Sequence, residues 1–106
     1  MILVKIFYKD GLIQGFQVKG HAPSEFGDKG DNLLCAGVST LVQSVHSYMG
    51  WKESLKDEKK SEGFLEFLVK PDFLSEFQTL GQMTTFSLMS LSKQHPNAIQ
   101  IIEERN

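Results

Sequence analysis

Two residues that could perform nucleophilic chemistry together, His21 and Cys35, lie in one short segment of the chain. Cys35 is the only cysteine, and it stands where we expect a helix to begin. His21 stands where we expect a strand to end. A loop between them could fold the imidazole back onto the thiol, which is the minimum arrangement for a cysteine nucleophile with a histidine base.

Two features of the segment would help Cys35 to act as a thiolate. The first turn of a helix favours an anion through its dipole and its unpaired N–H groups, and His21 could add an adjacent imidazolium. The N–H groups near Ala36 and Gly37 could form an oxyanion hole for acyl transfer. Gly37 has no side chain, so it also leaves room for a substrate backbone to approach.

Neighbouring residues have ordinary structural interpretations beside the functional ones. Ser39 lies one helical turn after Cys35, where it could hydrogen-bond near the thiol or a substrate carbonyl, or simply permit close packing. Asp31 could orient His21 or cap the helix. Cys35 itself could be a buried small hydrophobic residue, which is the common role of a lone cysteine.

The other histidines and a metal site are poorer candidates. His46 would lie about 16 Å further along the same helix at 1.5 Å per residue, too far from Cys35 to be its base. His95 stands at the end of a second helix, where it can interact with the helix dipole. One cysteine and one nearby histidine fall short of a four-ligand zinc set, so we predict neither a metal nor a cofactor.

The elements that position these residues can be predicted from hydrophobic periodicity and turn signals. Asp10-Gly11 predicts a hairpin between strands 1–9 and 12–19, which Gly20 ends. Leu12, Phe16 and Val18 are predicted to share one face of it and Gln17 and Lys19 the other, so that one face is wetter. A Gly- and Pro-containing loop, 22–31, leads to the first helix. The first helix is predicted over 33–50, and the residues expected to face the core are Leu34, Val38, Leu41, Val45 and Tyr48. A charged helix end and loop over 52–63 and a strand over 64–70 follow. The last predicted elements are a second helix, capped by Asp72 and ended by His95, and a strand over 98–103.

This β-β-α-β-α-β order predicts an α+β fold in which two helices cover one face of a four-stranded, mostly antiparallel sheet, giving two layers. A length of 106 residues, with 41% hydrophobic residues, predicts a single globular domain over 1–106. The net charge of −2 without a basic stripe argues against direct nucleic-acid binding. No apolar run is long enough for a membrane span, and the single cysteine suggests a reducing compartment, so we expect a cytoplasmic protein.

The segments Gly20-His21-Ala22 and Leu34-Cys35-Ala36-Gly37-Val38-Ser39 make the chain similar to the ribosomal-processing cysteine protease family, Prp. The resemblance covers essentially the whole chain. It implies a homodimer that removes an N-terminal extension from a large-subunit ribosomal protein, and a loop that reorders around substrate. It also implies that Cys35 is the nucleophile, His21 the base, and Ser39 the match to the family serine. Many members carry Asp three residues before the cysteine, where this chain has Asn32, with Asp31 one step earlier.

The sequence therefore predicts a cysteine endopeptidase that acts on the N-terminal peptide of a ribosomal protein, with Cys35 and His21 as its catalytic pair. Supporting or substrate-binding roles are predicted for Gly20, Asp31, Ala36, Gly37 and Ser39. The alternative function is a non-catalytic module that binds an extended peptide during ribosome assembly. A third possibility is a structural dimer subunit in which Cys35 is inert and buried.

Overall fold

The computed structural model describes residues 1–20 and 33–106, which form two helices on a five-stranded mixed sheet. The predicted α+β class with two helices is confirmed, whereas the predicted count of four strands is one too few. The strand order across the sheet is β3-β4-β2-β1-β5, with β5 parallel to β1 and the other neighbours antiparallel. The elements are β1 (Ile2–Lys9), β2 (Leu12–Gly20), α1 (Leu33–Trp51), β3 (Leu55–Ser61), β4 (Phe64–Val69), α2 (Leu74–Gln94) and β5 (Ile99–Arg105).

The hairpin between β1 and β2 forms at the predicted turn. Asp10 and Gly11 both have positive φ angles, 52° and 80°, as a two-residue turn that matches the twist of the strands requires. The register then shifts after Phe7, because Tyr8 pairs with Ile13 and leaves Gln14 as an extra residue in β2. This bulge turns Ile13 into the core beside Phe16, so the prediction that Leu12 shares a face with Phe16 was wrong: Leu12 is 39% exposed.

The strand that sequence reasoning missed is β3, which lies at the edge of the sheet. It falls within the charged stretch 52–63 that was predicted to be a helix end and loop, and nearly all of it is exposed. Hydrophobic alternation cannot reveal such a strand, since charged side chains are typical of an edge that must not pair with other chains. Its backbone hydrogen bonds with β4 hold it in place.

Both helices pack on the same face of the sheet. Alternate residues of β1 and β4 are buried there, and the rings of Phe16, Phe67 and Phe77 lie 6.0 to 6.4 Å apart. The core stripe of α1 differs from the predicted one at two positions. Val42 and Met49 are buried, whereas Leu41 is half-buried and Tyr48 is 46% exposed.

The entry into α2 also differs from the prediction. A short 3₁₀ turn, Pro71–Phe73, precedes the helix, and Phe73 rather than Asp72 is the N-cap residue. The helix ends as predicted at His95, whose N–H donates to the carbonyl of Leu91 at 2.9 Å. Neither helix within the described residues has the length and apolar character needed to cross a bilayer.

Candidate active site

Cys35 lies in the first turn of α1, which begins at Leu33. Its side chain is half-buried and packs against the edge of the hydrophobic core. The first turn carries no acidic residue. Its N–H groups have no partners within the helix, and together with the helix dipole they favour negative charge at this position.

Cys35 lines a cavity of about 340 Å³ between α1 and the ends of four strands. Ala36, Ser39 and Gln43 extend the helix side of the cavity. The strand side includes the end of β2, the start of β1 and the turn from β3 into β4. A cleft of this volume lies at the small end of the range for ligand-binding pockets.

Gly20 brings the end of β2 into the wall of the same cavity. Its φ angle is 94°, and a Cβ atom there would lie 2.3 Å from the carbonyl oxygen of Met1. Its N–H donates to the carbonyl of Gly63 at 3.0 Å. The chain therefore leaves β2 at the cavity in a conformation that only glycine adopts easily, and His21 is the next residue.

The structure places only some of the predicted site residues. Gly20, Cys35, Ala36 and Ser39 share the cavity wall. Gly37 is not among the described lining residues, and a side chain at this position would meet nothing within 4 Å. His21, Asp31 and Asn32, together with the predicted loop 22–31, lie outside the described residues.

Among the lining residues that were not predicted for the site, two carry long polar side chains, Gln43 and Lys60. Gln43 follows Ser39 by one helical turn, so the spacing from Cys35 could have revealed it. Lys60 belongs to the strand β3, which the sequence pattern does not reveal. Lys60 is the only formally charged side chain among the described lining residues.

His46 has a partner of its own, away from the cavity wall. Its Nε2 atom lies 2.6 Å from a carboxylate oxygen of Glu58, and its ring lies 5.3 Å from that of Phe67. The pair joins α1 to β3 beyond the end of the cavity. Within the described residues, no three His, Cys, Asp or Glu side chains are placed to share a metal ion.

Comparison with known proteins points to one family. The family model described as cysteine protease Prp matches residues 1–100. No curated protein gives a significant sequence match.

Several solved structures share the fold. The ribosomal processing protease Prp from Staphylococcus aureus, with a covalently linked product peptide, has a TM-score of 0.82 at 21% identity, covering 98% of this chain and 100% of that one. The same protease with a substrate peptide has a TM-score of 0.78 at 20% identity and the same coverage. A protein from Streptococcus mutans has a TM-score of 0.78 at 18% identity, covering 100% of this chain and 96% of the other.

Proposed function

Since the chain belongs to the cysteine protease Prp family, we propose that it is an endopeptidase that removes an N-terminal extension from a large-subunit ribosomal protein. We place it in the cytoplasm, where ribosomal proteins are assembled, and propose that residues 1–106 act as one domain. One observation carries the proposal. Cys35, in the first turn of α1, lines the same cavity as Gly20, the residue directly before His21.

The proposed reaction is acyl transfer through Cys35. His21 takes the thiol proton, and the Sγ atom attacks the scissile carbonyl carbon. The N–H groups near Ala36 and Gly37 hold the oxyanion of the tetrahedral intermediate. The C–N bond then breaks, and His21 protonates the amine that leaves. Water, deprotonated by His21, hydrolyses the thioester and restores the thiol.

The Cys35→Ala variant tests this reaction directly. The N-terminal peptide of the host's own ribosomal protein is incubated with the wild type and the variant, and the products are identified by mass spectrometry. We expect one cut by the wild type and a loss of at least about 10³-fold in the variant, because nothing else in the chain replaces the thiol. Cys35→Ser is the near-isosteric control for packing.

The outcomes separate the proposal from its alternative. A loss smaller than tenfold in a folded Cys35→Ala variant would contradict the mechanism. A peptide that binds but is never cut by the wild type would instead support the non-catalytic peptide-binding module.

We also propose that the protein is a homodimer that pairs through its helices. Of the chain's 24 charged residues, 11 basic and 13 acidic, only Glu76 and Lys93 lie in α1 or α2. Trp51 is 78% exposed and Phe86 is 80% exposed. A solvent-facing helix normally carries charge on its outer face, so this uncharged face with exposed aromatic rings favours a protein partner.

A second copy of the chain fits this surface because a two-fold axis pairs an uncharged patch with itself. Two packed helices of this length present a face of about 28 Å by 20 Å, or about 560 Å² per protomer, which reaches the lower limit of stable interfaces. We expect Phe86→Glu to halve the mass measured by light scattering. Ile102→Glu, at an exposed apolar position on β5, is the matched control, and an unchanged mass for Phe86→Glu would contradict this interface.

A further inference from the structure

The cavity described above ends where the His46 side chain begins. On the inner face of the sheet, Lys60 lies opposite Leu65, and both residues line the cavity. The next pair on the same face is Glu58 and Phe67. His46 packs against this second pair, with its Nε2 atom 2.6 Å from the Glu58 carboxylate and its ring 5.3 Å from that of Phe67. The space between helix and sheet is therefore open over the first pair and filled by the imidazole over the second.

The helix wall of the cavity leads to the same contact. Val42 and Gln43 line the cavity, and His46 follows them by one turn of α1. An ionised carboxylate only accepts hydrogen bonds, so the Nε2 atom carries a proton and donates it to Glu58. This hydrogen bond joins the helix wall to the strand wall across the end of the cavity.

The strand wall has little else to fix its distance from the helix. As the edge strand, β3 pairs with β4 along one side. Leu55 is half-buried and the other six residues of β3 are exposed, so the strand gains little from apolar packing. The His46 side chain is 13% exposed, whereas that of Glu58 is 55% exposed. Helix packing thus fixes the imidazole, and β3 is the wall that can move.

We propose that His46 and Glu58 are positioning residues, whose hydrogen bond holds β3 against α1 and fixes the width of the cavity that contains Cys35. Without this bond, β3 twists outward from β4 and larger groups reach the thiol. Resting on the proposed peptidase function, the same bond keeps the cavity narrow enough to hold an extended peptide firmly. Because Glu58 is largely exposed, water competes for its carboxylate and the contribution of the bond is modest.

The test compares three variants on β3. Glu58→Ala removes the acceptor at an exposed position without opening a void in the core, whereas Glu58→Gln keeps an oxygen that accepts from His46. Lys59→Ala is the matched control, because it removes a pair of 3.8 Å with Glu66 on the opposite face of the sheet. The rate of Cys35 alkylation is measured with iodoacetamide and with its N-phenyl derivative. Both reagents lose iodide, so the ratio of their rates reports the size of group that the cavity admits.

We expect Glu58→Ala to raise the ratio of N-phenyl to parent rate by about two- to fivefold over the wild type, as the loss of an exposed charged hydrogen bond would give. Glu58→Gln and Lys59→Ala should keep the wild-type ratio. A change in thiol reactivity alone, or in overall stability, would alter both rates together and leave the ratio unchanged. Equal ratios in the wild type and Glu58→Ala would overturn the positioning role, even if peptides are cut.

Peptide cleavage supplies the second readout. With the ribosomal protein's N-terminal peptide, Glu58→Ala should raise KM by about two- to fivefold and keep kcat within about twofold, because the bond acts on binding rather than on the chemical step. A fall in kcat at unchanged KM would overturn the effect on peptide binding. A raised alkylation ratio in Glu58→Ala, with no peptide cut by the wild type, would support the positioning role while the peptidase proposal fails.

Discussion

Replacing Gly20 by alanine should separate the folding role of this residue from its role at the site. The φ angle of Gly20 is 94°, where a side chain is strained, and the added Cβ would lie 2.3 Å from the carbonyl oxygen of Met1. Gly20 also pairs with Ile2, at the point where β1 begins. The substitution therefore pushes the end of β2 away from the start of β1 and shifts the residue that precedes His21.

The cost can be estimated by comparison with Gly11→Ala. Gly11 has a similar φ of 80°, but a Cβ there would meet nothing within 4 Å. Gly11→Ala should therefore lose about 1–2 kcal/mol of unfolding free energy from backbone strain alone. Gly20→Ala should lose this amount and a further 1–3 kcal/mol, roughly, because backbone atoms must move to relieve the contact.

Thermal unfolding and peptide cleavage measure the two effects. The extra cost should lower the Tm of Gly20→Ala by roughly 4 °C or more below that of Gly11→Ala. At a temperature where both are folded, Gly20→Ala should lose about 10- to 100-fold in kcat/KM, since a shift near 1 Å misplaces a catalytic base. Gly11→Ala should stay within about twofold of the wild type. A Gly20→Ala variant with full activity and the Tm of Gly11→Ala would refute the reasoning.

Two further predictions concern the bulged hairpin. The Gln78 side chain accepts a hydrogen bond from the N–H of Ile13 and donates one to its carbonyl, both at 2.8 Å. Gln78→Leu should therefore lower the free energy of unfolding, measured in urea, by about 2–3 kcal/mol. The control Gln82→Leu, at an exposed position of the same helix, should lower it much less. Burial, and then the negative charge of Glu103, raises the pKa of Tyr8 above its ordinary value near 10. The protonated Tyr8 side chain contributes fully to stability below about pH 10, and this contribution is lost as the pH rises through the raised pKa. Tyr8→Phe should therefore reduce the fall in Tm at alkaline pH when thermal unfolding is measured over a series of pH values.

The sequence predicted the elements whose burial leaves a periodic pattern. The Asp10-Gly11 turn, the strand predicted over 64–70 and the helix that begins near Leu33 all follow from local spacing. Two features depend on tertiary structure instead. The bulge that buries Ile13 is stabilised by Gln78, 65 positions away, and no local pattern announces it. The exposed strand β3 buries little apolar surface, so hydrophobic alternation gave no signal for it.

The same limit explains which parts of the candidate site could be predicted. Cys35 and Gly20 were identified because a nucleophile at a helix start and a glycine at a strand end have local meaning. The position of Lys60, by contrast, cannot be interpreted until the pairing of β3 with β4 and its register are known. A charged side chain within a charged stretch looks solvated in sequence, and only the sheet decides which of two adjacent lysines faces the cavity.

Helix α1 carries both proposed surfaces, and its geometry keeps them apart. At 100° per residue, the cavity-facing positions Cys35, Ser39 and Gln43 occupy one third of its circumference, and the buried stripe occupies a second third. The exposed positions Leu33 and Trp51 fall in the remaining third, about 80–160° from the cavity side. A partner seated on this outer face would not cover the cavity. The absence of charge along α1 therefore leaves an uncharged wall beside Cys35 and an uncharged outer face that can pair with its own copy.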